Sequence, residues 1–486
     1  MPPMRPCLLG GRRYVPHSYS PMTTFLLLLA VVAIFNVIIF VHELGHFLAA
    51  KWRGLRVDRF QIWFGKPLWK KEINGVQYGL GWIPAGGFVA LPQMAPMEAV
   101  EGSNRDLEEP LPPVKPLDKI IVAFAGPLFS FLLAVISAFV VMGAGKPKDT
   151  VESTVIGWVD EAGVASGQLQ VGDEILQVNG EPVNGFAGSA HFDSVQESVM
   201  LSEGELIEFL VRRNGEEVRV TTDFNIPETR WWERKGMRTV GIWVENQVIA
   251  KSILKGGPAD RAGLQAGDEI VSANGEELRS RRRLTDIVSN SENKEVALVV
   301  LRGEQLVELG VTPLKPTNAE RDPMIGVEFE TGDEFTQTIY HPGPLEQIGD
   351  SVRMMWVTVA KIVSPTSDVG IQHLSGPVGI GGVMFDLLSM EGGWRRVLFF
   401  MVLFNVNLAI LNMLPFPILD GGHIVLATVE MVAGKFNALF SRILEVVQFA
   451  FFFLLLGLFL FITSKDIGDR VSMGGGREPV QYEWPE

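Results

Sequence analysis

The sequence predicts a polytopic α-helical membrane protein that carries two tandem β-rich domains. Three observations lead to this fold class: four long apolar segments, a stretch near the middle that occurs twice, and a mixed composition. The mean hydropathy is positive at +0.21 and the chain contains 30 Phe, yet its net charge is −14. Membrane spans account for the first two values, and a large water-exposed portion accounts for the charge.

The apolar segments are long enough to cross a hydrocarbon core of about 30 Å at about 1.5 Å per helical residue. Between them, composition and turn signals mark the remaining regions. The predicted segments are an N-terminal extension at 1–21, a first span at 22–50, a loop at 51–117, a second span at 118–142, β-rich domains at 150–226 and 238–315, a membrane-proximal helical region at 340–393, a third span at 394–422, a fourth span at 442–463 and a tail at 464–486. Residues 1–21 are unlike a signal peptide or an anchor, so we expect translation to start at Met22.

Basic residues beside the spans predict the orientation. Seven Lys and Arg lie between residues 51 and 71, which assigns the loop after the first span to the cytoplasm. The β-rich domains and both termini then lie on the outer, periplasmic side of a bacterial inner membrane. The acidic net charge argues against nucleic acid as a partner. Cys7 is the single cysteine, so neither a disulfide framework nor a cysteine-rich metal site is expected.

The duplicated stretch reads LQVGDEILQVNGEPV at 169–183 and LQAGDEIVSANGEEL at 264–278, with nine of fifteen positions identical. Each copy places a Gly-Asp turn before a β-run and an Asn-Gly hairpin turn after it. This pattern resembles the PDZ domain, whose sheet edge accepts an extended peptide as an additional strand. A pair of β-rich spacers without a ligand is the alternative.

The first span contains the sequence VIIFVHELGHFLAAKW at 37–52. Ionisable residues at membrane depth are costly and therefore indicate function. His42 and His46 are four residues apart and share one helix face, whereas Glu43 lies one position round and can reach a water held by a metal. HExxH on a helix is the signature of zinc peptidases, and a chance match seldom falls inside a membrane span.

A catalytic zinc usually has three protein ligands, so two histidines require a third. The stretch NMLPFPILDGGHIV at 412–425 supplies Asp420 in another apolar region, just after Pro415 and Pro417 break the helix. Counting helical residues along the first and third spans places His46 and Asp420 at similar depth, near the cytoplasmic side. His423 is the rival ligand, with a role in supporting the ligands as its alternative. A helix-terminal turn without a metal is the other explanation for Asp420.

HELGH at 42–46 and NMLPFPILDGG at 412–422 together resemble the site-2 protease family of intramembrane zinc metalloproteases. With two PDZ-like domains between the second and third spans, the chain resembles the bacterial branch typified by the regulator of sigma-E protease. The resemblance implies that His42, His46 and Asp420 hold Zn²⁺ and that Glu43 is the general base. It also implies that Asn412, and less firmly Asn407, contact the substrate or its oxyanion; packing between helices is the alternative for Asn407.

Two further stretches match that family. YGLGWIPAGGFVALP at 78–92 resembles its re-entrant β-hairpin, expected at about 72–92, with Gly86, Gly87, Phe88 and Val89 as the edge that binds unwound substrate. An ordinary surface hairpin is the alternative. AGPLFS at 125–130 matches a motif of the second span but has Ser130 where Asn is usual, which we interpret as a packing change without catalytic meaning.

The resemblance implies as substrates the transmembrane segments of single-span proteins already trimmed by another protease, including membrane-bound anti-sigma factors and remnant signal peptides. The outer domains would filter by size or bind new C-termini. Two alternatives remain open: an HtpX-like membrane zinc peptidase that takes its third ligand from a Glu on a soluble helix, and a membrane-anchored PDZ scaffold without enzymatic activity.

Overall fold

The computed structural model describes residues 20–94, 112–148, 150–188, 192–318, 321–329, 339–390, 392–434, 438–473 and 483–485, with the side chains of 84, 85 and 438–442 excepted. Nearly all of the predicted extension at 1–21 lies outside these ranges. Helices α1–α10 and strands β1–β18 are numbered below in chain order.

In the described ranges, four helices are long and apolar enough to cross a membrane, as expected. They are α1 (Pro21–Trp52), α2 (Pro116–Ala144), α8 (Gly393–Asn412) and α10 (Ala438–Met473). Helix α1 begins at a capping residue, Ser20, whose hydroxyl accepts a hydrogen bond from the Thr23 amide at 3.2 Å. Helix α2 packs against α1, α8 and α9 and is therefore the central helix of the membrane region.

The third and fourth predicted segments need correction at their ends. The segment predicted at 394–422 is two helices, because α8 ends at Asn412 and α9 (Asp420–Ala433) begins after a break that contains two prolines. The fourth helix continues through Met473, beyond the boundary predicted at 463, so much of the predicted tail is helical. The helix continues because its polar residues after Ile462 bind other segments: Lys465 contacts Trp231, and Asp466 and Asp469 contact Arg234.

The loop after α1 folds into a four-stranded sheet with the order β2-β3-β1-β4. Its strands are β1 (Arg59–Phe64), β2 (Trp69–Ile73), β3 (Val76–Leu80) and β4 (Ile83–Ala90). The simple hairpin predicted at about 72–92 is therefore wrong in its pairing: β3 and β4 do not pair with each other but flank β1, parallel and antiparallel respectively. The prediction that 86–89 belong to an edge strand agrees with this order, since β4 is the last strand.

The region between α2 and α6 (Pro344–Val363), called the outer region below because it lies outside the membrane-capable helices, contains two β-rich domains with the same strand arrangement. Four-stranded sheets of order β8-β7-β9-β10 and β14-β13-β15-β16 are each accompanied by a two-stranded sheet, β6-β11 or β12-β17. The first domain contains β6 (Ile156–Val159), β7 (Glu174–Val178), β8 (Glu181–Pro182), α3 (Val195–Met200), β9 (Ile207–Arg213), β10 (Glu216–Thr222) and β11 (Ile242–Val244). The second contains β12 (Ala250–Ile253), α4 (Pro258–Arg261), β13 (Glu269–Ala273), β14 (Glu276–Glu277), α5 (Arg281–Ser289), β15 (Val296–Arg302), β16 (Gln305–Val311) and β17 (Val327–Phe329).

Each domain has its own apolar core, and the cores move both predicted boundaries. The first core includes Val240 and Val244, well beyond the predicted end at 226. The second core runs from Val248 to Ile325, with Phe329 packed against it, whereas 238–315 was predicted. The reason is that the last strand of each domain returns to pair beside its first strand, after a connection that carries no repeat signal.

The membrane-proximal region predicted at 340–393 is mainly helical, with α6 (Pro344–Val363) and α7 (Pro377–Ser389). A short sheet joins β5 (Lys146–Pro147) to β18 (Ile339–Tyr340). Gln347 on α6 donates to the carbonyl of Ala138 on α2 at 3.0 Å, and the stripe that includes Val352 and Trp356 stays exposed. Helix α6 therefore packs by its polar face against the bundle.

Candidate functional site

Helix α1 carries the HELGH sequence to its closest approach with α2. A methyl group added at Gly45 would lie 2.3 Å from the carbonyl oxygen of Ala125, and one added at Gly126 would lie 2.2 Å from Nε2 of His46. Both distances are far below van der Waals contact. Small residues on the facing surfaces therefore allow the two backbones to meet, which is how transmembrane helices pack most closely.

Asp420 is the first residue of α9 and lies directly after the break in the third segment. The two glycines that follow it are required there. A methyl group at Gly421 would lie 2.2 Å from the carbonyl oxygen of Met413, and one at Gly422 would lie 2.0 Å from that of Phe416. The start of α9 thus folds back tightly on the residues that end α8, and this holds the Asp420 carboxylate in place.

The three predicted ligands converge. Nε2 of His42 lies 3.4 Å from one carboxylate oxygen of Asp420, Nε2 of His46 lies 3.4 Å from the other, and the two Nε2 atoms are 3.3 Å apart. Ligand atoms about 2.0–2.1 Å from a tetrahedral zinc are about 3.3–3.4 Å from one another. The donor set and its spacing therefore fit zinc, and the group lacks His423, the rival ligand.

Residues of α2 contact the second ring nitrogen, Nδ1, of each histidine. Nδ1 of His42 lies 2.9 Å from the hydroxyl of Ser130, and Nδ1 of His46 lies 2.8 Å from the carbonyl oxygen of Val122. Such partners select the tautomer that presents Nε2 to a metal. Interpreting Ser130 as a packing change was wrong, because this buried hydroxyl lies within hydrogen-bond distance of a candidate ligand. The available signal was its position in a stretch, 125–130, that otherwise matches a family motif.

Glu43 faces the sheet. A methyl group at Gly87 of β4 would lie 3.2 Å from Cγ of Glu43 and 3.0 Å from Cγ2 of Ile39, so β4 passes directly over this face of α1. Phe88 and Val89 are buried, and Phe88 stacks on Phe64 with ring centroids 6.2 Å apart. Contacts from these two residues to a substrate would therefore involve the backbone.

The remaining predicted residues lie on the segments beside the site. Asn412 is the last residue of α8, and Asn407 lies more than a turn before it. In the described part of the chain, the buried Oδ1 atom of Asn407 has no hydrogen-bond partner, and neither does the buried Nε2 atom of His423. The Asn407 amide is thus placed to accept a bond from another molecule or from water.

Two ion pairs at the start of α2 brace the helices that carry the site, and sequence reasoning missed both. Arg53, just after α1, contacts Asp118 at 2.6 Å, and Lys119 contacts Glu430 of α9 at 2.6 Å. Adjacent residues of α2 therefore attach the histidine helix and the aspartate helix to the same point. Nothing in a single sequence indicates which charges pair across such separations.

A family model described as peptidase family M50 matches residues 30–458. Among curated proteins, the chain is 28% identical to the regulator of sigma-E protease RseP of Salmonella typhimurium over 437 residues, covering 84% of this chain and 91% of that protein. It is 28% identical to the protein of that name in Escherichia coli over 426 residues, covering 82% and 89% respectively. A protein of Neisseria meningitidis named as a zinc metalloprotease is also 28% identical, over 432 residues, covering 84% and 92%.

Among solved structures, the PDZ domain of an SdrC-like protein from Listeria monocytogenes is 18% identical. That match covers 19% of this chain and 98% of that domain, with a TM-score of 0.17. A score at that level does not identify the fold of the outer domains.

Proposed function

Because the chain belongs to peptidase family M50 and is a zinc metalloprotease of the membrane, we propose that its active site consists of His42, His46, Asp420 and Glu43. The observation that supports this assignment best is the convergence of two Nε2 atoms and one carboxylate within 3.3–3.4 Å of each other. The first three residues would hold Zn²⁺. Glu43 would be the general base.

The proposed reaction is peptide-bond hydrolysis. When bound, zinc supplies Lewis-acid chemistry: it lowers the pKa of a bound water and polarises the scissile carbonyl. The Glu43 carboxylate accepts the proton of the attacking water and passes it to the leaving amine. Ser130 and the Val122 carbonyl keep both imidazoles oriented throughout, and the amide of Asn412 donates a hydrogen bond to the developing oxyanion.

Strand β4 is proposed to hold the substrate. A transmembrane helix keeps its peptide groups bonded internally, so the segment must unwind before it can be cleaved. The free edge of β4 offers unpaired backbone groups to an extended segment. Its close approach to Glu43 at Gly87 brings such a segment near the proposed base. Asn407, with its free Oδ1 atom, is the second candidate contact.

For the substrates we propose membrane segments of single-span proteins that another protease has already trimmed. Relatives named as regulator of sigma-E protease support an anti-sigma factor as one substrate, and remnant signal peptides are further candidates. The two β-rich domains are proposed to be PDZ-like and to lie on the periplasmic side of the inner membrane, with both termini. There they would exclude bulky ectodomains from the site.

The two alternatives raised by the sequence lose support. An HtpX-like enzyme would take its third ligand from a Glu on a soluble helix and would not need Asp420 beside the two histidines. A scaffold without activity would not need the buried partners that orient both imidazoles.

The test is cleavage of a truncated single-span anti-sigma substrate by the protein reconstituted in lipid. We expect wild type to cut within the span and Glu43→Gln to retain zinc but lose at least 100-fold in rate. Asp420→Asn should lose both zinc and activity. Zinc bound normally by Asp420→Asn, or cleavage by Glu43→Gln at the wild-type rate, would contradict the assignment.

A further inference from the structure

The connection between β10 and β11 of the first domain carries two adjacent tryptophans, Trp231 and Trp232. Trp231 is 84% exposed, and its ring meets that of Trp232 edge to face with centroids 5.5 Å apart. An indole this exposed leaves a large apolar area without a partner inside the protein. This exposure needs an explanation, because the Trp231 backbone is fixed by the contacts described next and the side chain is not simply part of a loose loop.

The outer end of α10 holds that backbone. Lys465 donates to the carbonyl of Trp231 at 2.6 Å and to that of Glu233 at 3.2 Å. The carbonyl oxygen of Trp232 lies so close to Gly468 that a methyl group there would be 2.2 Å from it. The two indoles are therefore fixed beside one turn of this helix.

A buried ionic junction strengthens the attachment. Arg234 binds Asp466 and Asp469 of α10, the latter at 2.7 Å, and donates to the carbonyls of Gln372 and Leu374 at 3.1 Å. Asp466 is only 1% exposed and also accepts the amides at the start of α7. Separating the connection from α10 would leave these buried charges without their partners, which is costly, so the connection stays against the helix.

The position along α10 defines what surrounds Trp231. The exposed apolar face of this span includes Leu460 and Phe461 and is followed by Lys465, whose ammonium group marks the level of the lipid headgroups. Trp231 is bonded to that same lysine. Trp394, at the start of α8 and 53% exposed, lies at the outer end of another span. Tryptophan is enriched at this level because its ring is apolar and its N–H group is polar.

We propose that Trp231, with Trp232 beside it, inserts into the outer lipid–water interface and anchors the β10–β11 connection of the first domain to the membrane. The occupant of this surface is lipid, because the surface continues the lipid-facing side of α10. The anchor fixes the height of the first domain above the bilayer, independently of any substrate or of proteolysis.

The test measures depth with a fluorophore. In a Cys7→Ser background, a single cysteine replaces Trp231 in the test variant. Two further variants carry the cysteine at Trp394, as the positive reference, or at Leu306, as an exposed position in the second domain. Each protein is labelled with an environment-sensitive dye and placed in nanodiscs with or without lipids brominated near the headgroup. We expect brominated lipid to quench the dye at position 231 at least threefold more than the dye at position 306. Iodide in the buffer should quench the dye at 306 more than the dye at 231.

Equal quenching by brominated lipid at 231 and 306, while 394 is quenched, would overturn the proposal. A label at 231 that is shielded from both brominated lipid and iodide would overturn it in favour of a protein partner. The readout does not involve catalysis, so the result stands whether or not the active-site assignment holds.

Discussion

The membrane region is built once, whereas the outer region is built twice from the same plan. In the membrane region, the site depends on close contacts such as that of Gly126 with His46. In the outer region, equivalent positions can be compared directly. Strands β6 and β11 pair Trp158 with Trp243, and the corresponding strands β12 and β17 pair Ser252 with Glu328.

That one cross-strand pair shows how the copies have diverged. Arg282 of the second domain lies over the Trp243 ring at 4.3 Å, and the Trp158 indole donates to Asp286 at 2.6 Å. The first copy therefore uses the position as an interface between domains. In the second copy, Ser252 donates to Glu328 in an exposed setting. The same strand position thus makes different contacts in the two copies.

The largest effect is expected where the membrane helices meet. Gly126→Leu should abolish zinc binding and activity, because even a methyl group at this position overlaps the His46 ring. Metal content and cleavage of a single-span substrate measure it. Gly143→Leu on the same helix is the matched control, since nothing lies within 4 Å of its position. Equal losses in both variants would indicate a general helix defect.

Ser130→Ala should weaken zinc binding by about 10–100-fold, because the His42 ring loses the partner that fixes its orientation. Metal titration against a competing chelator measures the change. Ser137→Ala, which changes a buried serine about two turns further along α2, should leave zinc affinity unchanged. Ser130→Asn keeps a hydrogen-bonding group and should restore most of the affinity; an unaffected Ser130→Ala variant would refute the orienting role.

In the outer region, Asp268→Asn should destabilise the second domain by about 2 kcal/mol, because its buried carboxylate binds Arg302 at 2.7 Å. The hydrogen bonds from Arg302 hold the pKa of Asp268 below its ordinary value. This stabilisation is therefore complete above the ordinary pKa of 3.8 and is lost as the pH falls through the lowered pKa. Denaturant unfolding at several pH values measures both effects.

The equivalent pair in the first domain, Asp173 with Arg213 at 2.7 Å, provides the comparison. Asp173→Asn should destabilise the first domain by a similar amount. A large effect in one copy alone would show that the two domains differ in how much this ion pair stabilises them, as well as in their surface residues.

The smallest effect is expected at the interface between domains. Arg282→Met should cost about 1 kcal/mol through the loss of its contact with Trp243. It should also broaden the distance distribution between spin labels at Glu216 and Glu304. Lys251→Met, in an exposed ion pair with Glu328, is the control and should change neither quantity measurably. A distribution as narrow as wild type in Arg282→Met would show that other contacts hold the domains together.

The sequence predicted most strongly what depends on local pattern. HELGH within an apolar helix, Asp420 after two prolines, and a repeat with Gly-Asp and Asn-Gly turns are all readable from short stretches. The pairing of β4 with β1 was missed, since strand order depends on contacts between distant segments. Domain boundaries were missed for the same reason, because β11 and β17 return to the start of each domain. Ser130 was misread because its role depends on a ring 88 positions away.

The split of the candidate site between α1 and α9 has a consequence during biosynthesis. The ribosome makes His42 and His46 early, and it makes both outer domains before it reaches Asp420. A partly synthesised chain in the translocon thus holds two imidazoles and no carboxylate to complete them. Under the proposed assignment, the metal site therefore has its full set of ligands only after both β-rich domains have been synthesised.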